Sequence, residues 1–292
     1  MNVLIAVDLS HEPERVVDAA AAWAVAFGAV ADLAYIDPIA NLGLLGRFQA
    51  LAAPMAAEFR ALGDLQKGEL EKLLLRVPGP ARGEAHVWEG SAATEIASRA
   101  TTYDMVLTGT HSRKGVEHLM LGSVAERVAR ASRTPVLVVR NAPGPEAPRL
   151  LAAVALGDEA MDVMRRTIAY ATSLKATVDV GYVEDIVAMT PYAMEASVQA
   201  IMTEQLVQRK KAATSALESL LATVPEALRG KARMDVGVPG AEIARWGGAY
   251  DLVVEGTHGR AGLERLWLGS VAEKVLRACP RSVLVLPLGA AG

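Results

Sequence analysis

Two stretches of the chain set glycine, serine and histidine at a spacing suited to holding an anion. The first runs Gly109-Thr110-His111-Ser112 and, nine residues on, Gly122-Ser123. The second runs Gly256-Thr257-His258-Gly259 and, again nine residues on, Gly269-Ser270. A glycine lets backbone approach a phosphate closely, and the free amides at a helix start, with a serine hydroxyl beside them, favour negative charge. Arg113 and Arg260 lie in these loops, and each reads either as a phosphate contact or as a solvated charge at a loop tip. His111 and His258 read either as ligand contacts or as residues that shape the loop. Asp8, which closes the first apolar run, is the one obvious carboxylate for base chemistry.

Other chemistry lacks its expected signature. The chain has no GxxxxGK[ST] phosphate loop, no GxSxG serine elbow and no paired cysteines, since Cys279 is alone and reads as a small apolar core residue. His11-Glu12 opens like a zinc-protease helix, but Pro13 follows and Arg15 stands where the second histidine belongs. His111 and His118, with Glu117 beside the second, do not have a ligand spacing that suits a metal.

The elements that must carry the loops occur twice. Shifted by 147 residues, the segment starting at Tyr103 aligns with that starting at Tyr250 at 22 identical positions of 37. The same offset, without a gap, pairs Val3-Leu4 with Leu150-Leu151, Tyr35 with Tyr182, Gly90 with Gly237 and Glu95-Ile96 with Glu242-Ile243. The 292 residues therefore divide into a domain over 1–140, a proline-rich linker over 141–149 (NAPGPEAPR) and a second domain over 150–292. Within the first half, apolar runs at 3–7, 32–36, 84–89, 104–109 and 135–139 read as strands. Val16, Ala20, Trp23 and Phe27 recur at helical spacing, a long helical stretch runs to about residue 76, and helices follow near 92–100 and 123–131. Strands alternating with helices require right-handed crossovers, so each half is expected to be a doubly wound α/β domain with a five-stranded parallel sheet. Ligands of such sheets sit beyond the carboxyl ends of the strands, where the winding reverses.

The second loop, with the EGTHGRAGLERLWLGSVAEKVLRA sequence around it, resembles the ATP-binding motif of the universal stress protein family, and both halves resemble that family over nearly their whole length. The resemblance implies tandem Rossmann-like domains of the adenine nucleotide alpha hydrolase-like class. It further implies that adenine lies near the first two strands of a domain and that the phosphates of ATP, with Mg²⁺ accompanying them, lie on the glycine loop. Carried over residue by residue, the implied nucleotide residues are Asp8, Tyr35, Gly109, His111, Ser112, Gly122, Ser123 and Val124 in the first half. In the second they are Tyr182, Gly256, His258, Gly259, Arg260, Gly269, Ser270 and Val271. Tyr35 and Tyr182 read equally as flanks of the adenine or as core. Neither half is complete: Ser112 replaces the second motif glycine in the first, and Ala155 replaces the aspartate in the second.

The resulting expectation is a nucleotide-binding stress or signalling protein whose output is binding, with an unidentified protein partner and, at most, slow ATP hydrolysis. A rival reading is a sensor or carrier of a lipophilic ligand, roofed by Leu42, Leu44, Leu45, Phe48, Leu51 and Met55 or by Ile186, Met189, Tyr192, Met194, Ile201 and Met202. The closing strands 135–139 and 282–286 are expected to pair and make the chain a pseudo-dimer, able to form a homodimer. Thirty Lys and Arg against 33 Asp and Glu leave a net charge of −3, which disfavours nucleic acid. MNVLIAVDLS lacks a basic leader, and the apolar stretch from Ala19 to Ala31 is too short to span a membrane, so the cytoplasm is the expected compartment and membrane insertion is not expected.

Overall fold

The computed structural model describes residues 1–9, 12–38, 52–110, 121–144, 147–185, 196–257 and 268–288. They fall into two compact units divided between Pro143 and Gly144. Unit 1 runs β1 (Asn2–Ala6), α1 (Pro13–Ala26), β2 (Val30–Asp37), α2 (Ala52–Leu74), β3 (Arg82–Glu89), α3 (Ala92–Arg99), β4 (Met105–Gly109), α4 (Ser123–Ala131) and β5 (Val136–Val139). Unit 2 repeats the order as β6 (Arg149–Ala153), α5 (Ala160–Leu174), β7 (Thr177–Asp185), α6 (Ala196–Ala222), β8 (Arg229–Gly237), α7 (Pro239–Gly247), β9 (Leu252–Thr257), α8 (Ser270–Ala278) and β10 (Ser282–Pro287). Strands are ordered β3-β2-β1-β4-β5 in the first and β8-β7-β6-β9-β10 in the second. The registered pairs are parallel throughout. Each unit is thus a doubly wound α/β fold whose winding reverses between β1 and β4, or between β6 and β9.

The unbroken apolar strands have their physical reason in this arrangement, because helices cover both faces of each sheet. Val3, Leu4 and Ile5 of β1 and Met105, Val106 and Leu107 of β4 are all fully buried, and the matching residues of β6 and β9 are equally so. Helix α1 starts with Pro13, and Gly28, just past its Phe27 cap, has a φ of +65°, the left-handed conformation that stops a helix. Its inner face carries Val17, Ala20, Trp23 and Ala24, and the Trp23 indole Nε1 donates to the Asn141 carbonyl at 2.6 Å.

A repeated carboxylate holds the outer strand of each unit. In β2, Asp32 Oδ1 accepts the Glu84 amide at 2.8 Å, and Oδ2 accepts the Tyr103 hydroxyl at 2.9 Å. In β7, Asp179 takes the Lys231 amide at 2.8 Å and the Tyr250 hydroxyl at 2.8 Å. The register of β2 on β3 and of β7 on β8 shifts at these residues, as in a β-bulge. Glycine is required opposite them, because a Cβ at Gly83 or Gly230 would run into the aspartate oxygen. Burial and the bond to Asp179 push the Tyr250 hydroxyl up to about 12. Asp32, Gly83 and Tyr103 recur at the offset of 147 as Asp179, Gly230 and Tyr250, although none belongs to the glycine loops; the amide donors Glu84 and Lys231 match in position alone.

Strand β6 begins at Arg149, the last residue of the stretch read from sequence as linker. Asp251 accounts for this. One of its carboxylate oxygens accepts the Arg149 amide at 2.9 Å and the other the Gly144 amide at 3.1 Å, bonds that span more than a hundred residues of sequence.

Candidate nucleotide-binding site

In unit 1 the switch point brings together three elements. The chain leaves β1 through Val7, whose amide bonds the Ala34 carbonyl at 2.9 Å, and then exposes Asp8. Tyr35, on the neighbouring β2, is half-buried, and its hydroxyl pKa is raised by burial first, then by the charges of Asp37 and Asp8. The structure therefore places Asp8 within electrostatic range of Tyr35. Gly109 ends β4, and a Cβ there would lie 2.6 Å from Val16 Cγ2 and 2.7 Å from Cγ1. Its missing side chain is accounted for by the close passage of α1 over the strand end, a packing requirement that leaves the glycine's backbone at the switch point.

Helix α4 starts at Ser123 with Gly122 as its cap, and Gly122 has φ −62° and ψ 139°, which any residue can adopt. The conformation alone does not require glycine here. The Gly122 carbonyl accepts the Glu126 amide at 3.0 Å, the first bond of the helix, and among the described residues no side chain caps the turn. The amides of Ser123, Val124 and Ala125 consequently lack acceptors within the helix, the condition under which a helix start can take an anion. Gly122 is buried, Ser123 exposed and Val124 half-buried.

Unit 2 repeats the helix start and changes its surroundings. Gly269 caps α8 with φ −62° and ψ 152°, its carbonyl accepts the Glu273 amide at 2.9 Å, and the amides of Ser270, Val271 and Ala272 are left like their counterparts. Gly256, in β9, has no room for a Cβ because Leu288 occupies that volume and Val163 Cγ2 lies 3.0 Å away. Ala155 is exposed beyond β6 at the position that matches Asp8. The Tyr182 hydroxyl donates to Glu184 Oε2 at 2.7 Å, and Arg209 lies 3.3 Å from the same carboxylate. Burial, followed by the bond to Glu184, pushes Tyr182 up to about 12, so that the hydroxyl stays protonated and engaged. His111, Ser112, His258, Gly259 and Arg260 lie outside the described residues.

With this geometry in place, comparison with known proteins decides the family. The universal stress protein family matches residues 1–140 and again 147–287. The chain belongs to the universal stress protein family. It is similar to the universal stress protein MJ0531 of Methanocaldococcus jannaschii, at 33% identity over 95 residues that cover 30% of this chain and 56% of that relative. Among solved structures, a universal stress protein from Archaeoglobus fulgidus matches with a TM-score of 0.63 at 15% identity, over 99% of this chain and 98% of its own. The PA1789 protein of Pseudomonas aeruginosa matches with a TM-score of 0.63 at 17% identity, over 98% of this chain and 92% of its own. At these identities the structural matches establish the fold.

This universal stress protein carries one residue at the switch point that sequence reasoning passed over. Glu255, at the position matching Thr108, is 3% exposed and has no hydrogen-bond partner for Oε1 among the described residues. Burial alone raises its carboxyl to about 8. The available signal was an acid in the middle of an apolar strand, LVVEGT. No group of three acids, histidines or cysteines able to hold a metal occurs among the described residues, and no described helix is long and apolar enough to cross a membrane. The residues that would roof a lipophilic pocket lie outside the described side chains.

Proposed function

We propose that the chain is a cytoplasmic stress-response protein that binds ATP and acts through nucleotide-dependent presentation of its loops to a protein partner. The observation that carries this reading is the pair of glycine-capped helix starts, at Gly122 and Gly269, lying beyond β4 and β9 where the winding of each sheet reverses. Uncapped amides fit a phosphate, and Ser123 or Ser270 adds a hydroxyl. The roles assigned are those implied by the family: adenosine beside Asp8 and Tyr35 or beside Tyr182, and phosphates with Mg²⁺ on Gly109, His111, Ser112, Gly122, Ser123 and Val124 or on Gly256, His258, Gly259, Arg260, Gly269, Ser270 and Val271. A ligand transmits a signal only through different affinity for two conformations, so occupied and empty loops must differ in what they offer a partner.

The two sites are unequal in this reading, because one carries Asp8 and the other Ala155. Calorimetric titration with ATP tests both points. Two binding events are expected; the one in unit 1 weakens in Asp8→Ala, and both disappear when Gly122 and Gly269 are replaced together by valine, whose branched side chain would crowd a phosphate at the helix start. Unchanged affinity in the double variant would overturn the assignment. The domains 1–140 and 150–292 are further assigned to associate through strands 135–139 and 282–286 as a pseudo-dimer, able to form a homodimer.

A further inference from the structure

The outermost strands of the two units repeat one backbone and carry opposite charges. In unit 1 the strand order ends at β3 and in unit 2 at β8, and among the described residues no further strand pairs with the outer side of either. Past the bulge each keeps a regular register on its inner neighbour, over residues 85–89 against β2 and over 232–237 against β7. Neither RGEAHVWE nor RGKARMDVG contains proline, so every residue of the two strands keeps an amide hydrogen. An edge of this kind takes up another strand unless the charge on it opposes the approach.

Part of that charge is already engaged within each unit. Arg82 donates to the Val77 and Leu75 carbonyls at 3.0 Å each, and Arg229 repeats this with Val224 and Ala222 at 3.0 and 3.1 Å. Asp235 lies 3.5 Å from Arg245 of α7, and the half-buried His86 lies 3.4 Å from Asp32 and stacks on Trp88. What is left on β3 is acidic: Glu84 and Glu89 are both exposed, and neither side chain has an ion-pair partner among the described residues. What is left on β8 is basic. Lys231 is exposed, Arg233 is half-buried with its guanidinium 4.3 Å from the Trp246 ring centre, and neither has a carboxylate partner among the described residues. Glu84 and Lys231 stand at matching positions of the repeat, as do His86 and Arg233.

We propose that the chain binds a second copy of itself edge to edge, β3 of one copy along β8 of the other, the acids Glu84 and Glu89 meeting the cations Lys231 and Arg233. The backbone of both edges supplies hydrogen bonds without regard to partner, and the charges supply the choice. Opposite charges across a strand pair stabilise it, and like charges destabilise it. Two β3 edges would set acid against acid and two β8 edges cation against cation, so the attraction exists for the unlike pair. Each chain carries one edge of each kind. Copies therefore add head to tail, in a ring if the rotation between them closes and in a filament if it does not. This surface is separate from the glycine loops and from strands 135–139 and 282–286, and the inference rests on neither.

Sedimentation velocity of the full chain tests it. Wild type is expected to associate as its concentration rises, and less so when salt is raised from about 0.05 M to about 0.5 M, because exposed charges are screened. Glu84→Lys and Lys231→Glu, both at exposed positions, are each expected to weaken association by about five- to tenfold. Combining the two in one chain restores the opposite signs and is expected to restore association. An equal mixture of the two single variants should likewise associate more strongly than either alone, which a damaged fold could not produce. A wild type that stays a single species at every concentration overturns the inference. Association equally strong in both single variants also overturns it, and leaves the homodimer to another surface. Loss in the single variants without recovery in the combined chain or the mixture overturns it too, and assigns these charges to a different partner.

Discussion

Glu255 bears on folding. Its carboxyl is raised to about 8 in the folded chain from an ordinary 4.5. Below about pH 4.5 both folded and unfolded forms hold the proton and the site carries no ionisation penalty. Between about 4.5 and 8 the unfolded chain ionises while the folded one does not, so stability falls as pH rises, by up to about 1.4 kcal/mol per pH unit. Above 8 the penalty is constant. Glu255→Gln keeps the volume and removes the titration, and denaturant unfolding is expected to show wild type losing on the order of a few kcal/mol relative to the variant between pH 5 and 8. Parallel pH profiles would show that the carboxyl finds a partner. Glu255, whose Oε1 has no hydrogen-bond partner among the described residues, contrasts with Asp32 and Asp179, whose oxygens are occupied by amides and hydroxyls.

At the scale of elements, the glycines have three different jobs. Gly122 and Gly269 leave helix starts open, Gly109 and Gly256 let helices and chain ends pass close over strands, and Gly83 and Gly230 admit a carboxylate between strands. The last pair makes a prediction independent of nucleotide. Gly83→Ala or Gly230→Ala would press a methyl group onto the aspartate and lie within 2.9 Å or 2.8 Å of the Ala31 or Val178 carbonyl. Backbone on that side cannot give way cheaply, and each variant is expected to lose about 1–3 kcal/mol of stability, read as a lower denaturation midpoint. The outer strands β3 and β8 should become the first segments of their units to exchange amide hydrogens.

For the whole molecule, the proposed function is one of holding rather than turning over a nucleotide. Phosphoryl transfer needs a placed nucleophile and neutralised phosphate charge, whereas the described helix starts offer amides and the hydroxyls of Ser123 and Ser270. Steady-state phosphate release by purified protein is expected to stay well below about 1 s⁻¹, the lower end of ordinary enzyme rates. A faster rate that is lost in Asp8→Ala would make it an ATPase. The proposed pairing of strands 135–139 and 282–286 predicts slow hydrogen exchange at every amide of both strands. Rapid exchange along alternate amides, as an unpaired edge gives, would overturn the pseudo-dimer.

The repeat, the alternation of strands and helices and the glycine loops were legible in the sequence because each is a local pattern: an apolar run, a helical period or a fixed spacing. Helix α4 was expected over 123–131 and runs over those residues; β1 and β5 differ from expectation by a residue at their ends. Asp8, Tyr35 and Gly109 were readable as candidates from their places at strand ends, although that Asp8 bears electrostatically on Tyr35 emerges only in the fold. The Asp32 and Asp179 anchors, the hold of Asp251 on the linker and the burial of Glu255 were decided by tertiary structure. Each depends on groups 50 to more than a hundred residues apart, or on which face of a strand a helix covers. Sequence spacing determines which side chains share a face; whether a carboxyl there meets an amide, water or only methyl groups is determined by what packs against it.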